Sequence, residues 1–214
     1  LSFKSYNSLM IKRTLAEKLV LLAKQFPVIS IMGPRQSGKT TLARMVFNRH
    51  DYITLEDPDE KEFALSDPKG FLRRFAKGVI LDEIQKTPQL LSYIQGIVDR
   101  NGFPGKFILT GSQQFHLMDK VSQTLAGRTA ITYLLPFSVA ELTKRKPLNP
   151  YAFDLQPETK KQPLFNLAAI LYQGFYPRIH DRGLDAHDWL SAYYRTYVER
   201  DVRDIINIGN LNAF

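Results

Sequence analysis

Apolar positions along the chain fall into two rhythms, one of three to four residues and one of short unbroken runs. From Ile11 to Gln25, Leu15, Leu19 and Leu22, followed by Phe26, keep a helical spacing and predict a helix with one buried stripe. Val28 to Met32 is apolar apart from Ser30 and is bounded by Pro27 and Gly33, the form of a strand buried on both faces. Leu42 to Phe47 opens the next helix, and Tyr52 to Leu55 reads as a short strand ended by Glu56-Asp57-Pro58. Residues 57–70, with Asp-Pro twice and then Gly70, read as loop around one short helix. Gly78 to Leu81 is an apolar run that stops on Asp82 and Glu83. Leu90, Leu91, Ile94, Ile97 and Val98 then predict an amphipathic helix over Pro88 to Arg100, broken by Asn101 to Gly105. Lys106 to Ser112 is the next strand, Gln114 to Leu125 the next helix, Thr129 to Leu135 a further strand, and Pro136 to Leu142 a short helix. Strands alternating with helices predict an α/β fold, a parallel sheet with helices on both faces.

At Lys144-Arg145-Lys146-Pro147 the texture changes. Pro147, Pro150, Pro157 and Pro163 block regular structure, so 1–146 reads as one domain and 147–163 as a linker or mobile loop. Residues 164–214 read as the start of a helical C-terminal domain: a helix from Leu164 to Tyr172 closed by Gly174, a turn at Phe175 to Arg178, and a long helix from Ala186 to about Ile206. On that last helix Arg195, Glu199, Arg200, Asp201, Arg203 and Asp204 lie opposite the apolar stripe; spacings of three and four suit a self-paired solvated face, with a partner or DNA surface as the alternative. Residues 1–10 have the look of a tail, and no closing element precedes Phe214, so the natural protein is expected to continue.

Composition narrows the class. Hydrophobic content of 44% and aromatic content of 12% belong to a folded globular protein. No apolar run approaches a membrane span, and none at the N-terminus resembles a secretory signal, so no membrane partner and a cytoplasmic location are expected. With no cysteine there is no disulfide and no thiolate metal site. The net charge of +8, from 29 Lys and Arg against 21 Asp and Glu, keeps nucleic acid open as a partner, alongside a protein partner or an oligomer; no reader motif singles out one of them.

The chemistry concentrates in Gly33-Pro34-Arg35-Gln36-Ser37-Gly38-Lys39-Thr40-Thr41. This is G-x-x-x-x-G-K-[ST] between a strand and a helix, the context in which that pattern forms a P-loop. Glycines at both ends let backbone N–H groups converge on phosphate at a helix N-terminus. Lys39 is placed to reach the β- and γ-phosphates, and the Thr40 hydroxyl to ligate Mg²⁺. The Gly78–Glu83 run then has the form of a Walker B strand, with Asp82 as the second Mg²⁺ ligand and Glu83 as the general base for an attacking water. Ser112, or Thr110, offers a hydroxyl near the γ-phosphate at the tip of its strand; Ser112 is preferred, and an ordinary helix N-cap is the alternative for it. Arg128 is a candidate for stabilising γ-phosphate charge, in cis or from a neighbouring subunit, against a plain surface arginine. Ile11 and Arg13 are candidates for contact with the base, against core packing for Ile11 and a solvated Arg13.

These residues together resemble a known group. Gly33-Pro34-Arg35-Gln36, Leu-Glu-Asp57-Pro58, Asp82-Glu83-Ile84-Gln85, Leu-Thr-Gly-Ser112, Leu-Ala-Gly127-Arg128, Leu-Pro136-Phe137, Gly174-Phe175-Tyr-Pro177 and Tyr197-Val-Glu199-Arg200-Asp201-Val-Arg203 occur in this order. The set resembles prokaryotic AAA-family ATP-binding proteins with a C-terminal domain of unknown function. The resemblance implies an AAA-like ATPase core and hydrolysis roles for Asp82, Glu83 and Ser112. The expected activity is ATP binding with Mg²⁺ and hydrolysis coupled to a conformational change. The alternatives are a nucleotide-gated DNA- or protein-binding switch with little turnover, and a P-loop kinase of a small molecule.

Overall fold

Five strands form one parallel sheet in the computed structural model, which describes residues 11–112, 121–146 and 166–198. They are β1 (Val28–Gly33), β2 (Asp51–Thr54), β3 (Val79–Asp82), β4 (Phe107–Ser112) and β5 (Thr129–Tyr133), in the order β2-β3-β4-β1-β5. β1 is paired on both sides, with Gly33 opposite Ser112 of β4 and Met32 opposite Tyr133 of β5. On the far side of β4, Thr54 of β2 stands opposite Asp82 of β3. All five strands run the same way, so the glycine loop after β1, the acids after β3 and Ser112 at the end of β4 share the carboxyl edge. The chain crosses from one side of β1 to the other between β4 and β5, and such switch points are where open α/β sheets bind ligands.

The unbroken apolar runs sort into two cores by strand alternation. Val28, Met32, Val79, Leu81, Phe107 and Leu109 face one way, against Phe71, Leu72, Leu90, Leu91 and Ile94. These belong to helices α4 (Pro68–Arg73) and α5 (Leu90–Asn101). Ile29, Ile31, Ile80, Ile108 and Ala130 face the other way, against Leu19, Leu42 and Ala43 of α1 (Leu15–Leu22) and α2 (Lys39–Val46). Asp82 lies two residues beyond Ile80, and Thr110 and Ser112 two and four beyond Ile108. Alternation therefore turns all three polar side chains to the face that α2 covers.

Where the reading of the sequence gave one helix over 57–70, there are two, α3 (Pro58–Ser66) and α4. Each Asp-Pro pair starts a helix: Asp57 accepts from the N–H groups of Asp59 and Glu60, Asp67 accepts from Gly70, and each proline takes the first turn, where its missing N–H is no loss. Of the helix expected over 114–125, residues 114–120 lie outside the described residues and 121–124 are helical. The short helix α6 (Val139–Leu142) follows β5, capped by a reciprocal pair: Ser138 Oγ accepts from Glu141 N and Glu141 Oε2 from Ser138 N.

The described residues divide into two compact units, the sheet within Ile11–Pro147 and a helical unit after Leu148. In the second, α7 (Leu167–Gln173), α8 (Pro177–Arg182) and α9 (Ala186–Tyr193) are joined by glycines in left-handed or mirror backbone, Gly174 and Gly183. Pro177 begins a helix where a turn was expected, and the α-helix from Ala186 gives way to a wider π turn at Tyr194–Val198. Trp189 and Tyr193 of α9 stack, and Tyr176 and Tyr197 lie tilted against them, with ring centres about 5 Å apart. The expected linker 147–163, the tail 1–10 and the charged positions from Glu199 onward lie outside the described residues. No helix among the described residues is long and apolar enough to cross a membrane.

Arg13, just ahead of α1, is buried with its Nε 3.2 Å from Glu141 Oε1. Burial alone would raise the Glu141 carboxyl, but the N–H groups of Ser138 and Thr14 and the Arg13 guanidinium together hold it below the ordinary glutamate range. A lowered value means that this stabilisation is present above the unfolded-state pKa, about 4.3, and is lost as pH falls through the folded-state value. At neutral pH, Glu141→Gln is expected to destabilise the protein by about 2 kcal/mol in urea unfolding. The gap to wild type should narrow as the titration is repeated below about pH 4.

Candidate functional site

The loop after β1 is shaped by close approach. Gly33 has φ 151°, and a Cβ there would meet the Leu134 carbonyl oxygen at 2.2 Å. Gly38, with φ 93°, is the N-cap of α2, so its left-handed backbone turns the loop into the helix. Between them Gln36 also takes positive φ, 60°. Lys39 is buried and folds back over the loop, its Nζ donating to the Gly33 and Pro34 carbonyls at 3.0 and 2.8 Å. Burial pushes its ammonium below the usual lysine value, with Glu83 and Asp82 opposing that shift and Arg35 adding to it. Carbonyls are a stand-in for what such a cation at a helix N-terminus is suited to hold, an anion.

Asp82 gathers three hydroxyls from three elements. Thr40 of α2 donates to Oδ1 at 2.8 Å, Thr110 of β4 donates to the same oxygen, and Tyr52 of β2 donates to Oδ2 at 3.1 Å. The Tyr52 phenol is pushed up to about 12, by burial first and then by the neighbouring carboxylate, while the Arg44 guanidinium lies 4.6 Å above its ring. A hydroxyl and a carboxylate in contact beside a phosphate-shaped loop are hard oxygen donors, which fits Mg²⁺ and not a soft metal. Thr40 and Asp82 are the residues that would hold it.

Glu83 leaves the strand in left-handed backbone, φ 58°, which swings its carboxylate out of the alternation that fixes Asp82. Burial raises it above the ordinary glutamate range; the Gln85 amide, which donates to Oε2, and Lys39 act in the opposite sense. Ser112 lies opposite Gly33 with its hydroxyl buried and making no hydrogen bond among the described residues. Ser37 is buried in the loop, and Thr41 faces outward on the first turn of α2.

The sequence-predicted residues Gly33 to Thr40, Asp82, Glu83 and Ser112 thus meet at one edge, while Thr41 is exposed on the first turn of α2. Arg128 does not. It precedes β5, its carbonyl accepts from Val28 N at the start of β1, and its guanidinium pairs with Asp99 at 2.5 and 3.0 Å. That is the amino edge, about 16 Å of strand from Gly33. A role in cis on phosphate is therefore corrected to an ion pair with α5. Arg13 is corrected too: it is neither solvated nor directed at a base, but bonded to Glu141 and to the carbonyls of Ser37, Leu135 and Pro136.

Tyr52 escaped the reading of the sequence, Gln85 entered it only within the Asp82–Gln85 motif and without a role, and Thr110 was ranked behind Ser112. Thr110 had a legible signal, since residues two apart on a strand share a face. Tyr52 had none, because its reach to Asp82 depends on β2 lying next to β3.

Comparison with known proteins agrees with this architecture. A family described as AAA domain matches residues 25–143, more than half of the chain. Uncharacterized proteins of Mycobacterium bovis and Mycobacterium tuberculosis are each 27% identical over 195 residues, which is 91% of this chain and 40% of theirs. The chain therefore spans well under half the length of those relatives. The Walker-type ATPase of Pyrococcus abyssi superposes with a TM-score of 0.53 at 16% identity, over 91% of this chain and 75% of that one, a likeness of fold. On the family match and the parallel sheet with its glycine loop, the chain belongs to the AAA domain family and its core is a P-loop NTPase fold.

Proposed function

We propose that the chain binds ATP with Mg²⁺ and hydrolyses it slowly, coupling the cycle to a conformational change. The observation that carries this reading is the contact between the Thr40 hydroxyl and Asp82, at the mouth of a loop whose lysine is buried and turned inward. The loop N–H groups and Lys39 bind the phosphates, Lys39 exchanging the Gly33 and Pro34 carbonyls for phosphate oxygens. Thr40 and Asp82 hold the metal, which when bound neutralises charge on the phosphate oxygens. Tyr52 and Thr110 orient the Asp82 carboxylate from behind. Glu83 accepts the proton of the attacking water at its carboxylate, and burial favours that proton's uptake. Ser112 supplies a hydroxyl beside Gly33.

One contact favours the second reading, a nucleotide-gated switch with little turnover. The Gln85 amide donates to Glu83 Oε2 and opposes the upward shift of that carboxylate, so a Glu83 held by Gln85 is the weaker base. Slow hydrolysis and switching are on this account two ends of one scale, set by how readily Glu83 is released.

Three substitutions test the assignment by nucleotide titration and phosphate release with no acceptor added. Lys39→Ala is expected to abolish nucleotide binding. Glu83→Gln is expected to keep binding and stop turnover, and unchanged phosphate release in that variant removes Glu83 as the base. Tyr52→Phe is expected to weaken Mg²⁺ affinity about tenfold, so that more Mg²⁺ is needed for half-maximal phosphate release, through loss of its hydrogen bond to the metal-binding carboxylate and with the fold intact.

A further inference from the structure

Arg13 is 7% exposed, and its named hydrogen bonds use four of the five guanidinium N–H groups. Nε donates to Glu141 Oε1, Nη1 to the Ser37 carbonyl at 2.8 Å, and Nη2 to the Leu135 and Pro136 carbonyls at 2.6 and 3.3 Å. The group lies 4.8 Å above the Phe137 ring. Glu141 is itself held by Thr14 N at 2.7 Å and by Ser138 N at 2.9 Å. A buried ion pair is poor evidence of added stability, because desolvation offsets much of the attraction. Its value lies in fixing a geometry, and the geometry fixed here belongs to the phosphate loop.

Both ends of that loop rest on the same piece of chain. At its start, the Leu134 carbonyl fills the space where a Gly33 side chain would stand, and Leu134 N donates to Met32 O at 2.8 Å. At its end, Arg13 ties Ser37 to Leu135, the next residue along. A trans peptide is planar, with its C=O and N–H pointing in opposite directions. A Ser37 carbonyl turned out toward Arg13 therefore turns the Gly38 N–H inward, to the side that phosphate occupies in a loop of this kind.

We propose that Arg13 is a positioning residue for nucleotide binding: by holding the Ser37 carbonyl against the Leu135 and Glu141 anchor, it presets the Ser37–Gly38 peptide and so the anion-binding face of the loop. The inference rests on the nucleotide-binding reading above. Lysine cannot replace arginine here, since a single ammonium cannot fork between Ser37, Leu135 and Glu141.

The test has two arms, run on wild type, Arg13→Gln, Arg13→Lys and Arg74→Gln. Arg74 forms a more exposed pair with Glu60 of α3, and it serves as the control for loss of an Arg–Glu contact without a loop partner. In the first arm, Mg-ATP is titrated below each variant's melting temperature. Arg13→Gln is expected to weaken binding by about tenfold or more, a modest share of what misplacing a site can cost. KM for ATP should rise with it while kcat falls much less; Arg13→Lys should lie between, and Arg74→Gln should bind as wild type does. In the second arm, amide exchange is followed without nucleotide. Residues 33–40 should exchange faster in Arg13→Gln and not in Arg74→Gln. If Arg13→Gln fails to fold, Glu141→Gln takes its place, with the same direction and a smaller effect. Wild-type affinity in a folded but less stable Arg13→Gln overturns the proposal and leaves Arg13 a brace. Loop exchange that responds to Arg13 in a protein that binds no ATP overturns the nucleotide reading instead.

Discussion

A buried carboxylate must be met by donors, and the donors that meet Asp82 determine how the carboxyl edge of the sheet is assembled. Leaving such a charge without hydrogen bonds in a site only 6% exposed would cost several kcal/mol. The three hydroxyls that satisfy it come from α2, β2 and β4, so the requirement ties the helix after the glycine loop to three neighbouring strands. The arrangement depends on strand alternation. Ile80 faces α2 in the core, and Asp82, two residues on, is therefore delivered to the same side at the open edge. Glu83 escapes that alternation only by taking left-handed backbone, which lets two adjacent acids occupy different positions around one site.

The loop opposite Asp82 is held by contacts of a different kind. Gly33 lies against the Leu134 carbonyl too closely for any side chain, and Arg13 closes the other end through Ser37. Both constraints act on backbone groups. The second suits a loop that presents N–H groups, because the Ser37 carbonyl held outward by Arg13 turns the Gly38 N–H inward. Lys39 rests on the Gly33 and Pro34 carbonyls, which keeps its ammonium at the loop.

Much of this was legible in the sequence because it is local. The glycine loop, its strand and helix, and the Asp82-Glu83 strand are contiguous segments whose patterns state both structure and chemistry. β4 lies between β1 and β3, which brings its tip beside the glycine loop. What was not legible depends on register or on distance. Arg13 and Glu141 are 128 residues apart, and neither carries a local signature of the other. Tyr52 reaches Asp82 only because β2 and β3 pair with Thr54 against Asp82. Arg128 is a different case, since its place was deducible: a residue before a parallel strand stands at the amino edge, away from the loop that follows β1. The Asp-Pro pairs at 57 and 67 were read as breaks, although an Asp N-cap followed by proline at the first helical position is a start signal.

Asp82 is the carboxylate proposed to hold a metal against the nucleotide. The direct measurement is ATP binding by calorimetry, with and without Mg²⁺, in wild type and in Asp82→Asn. Mg²⁺ is predicted to tighten ATP binding in the wild type. The asparagine variant should lose that gain yet retain the metal-free binding that Lys39 and the loop provide. An Asp82→Asn protein that shows the full wild-type gain from Mg²⁺ would contradict the account.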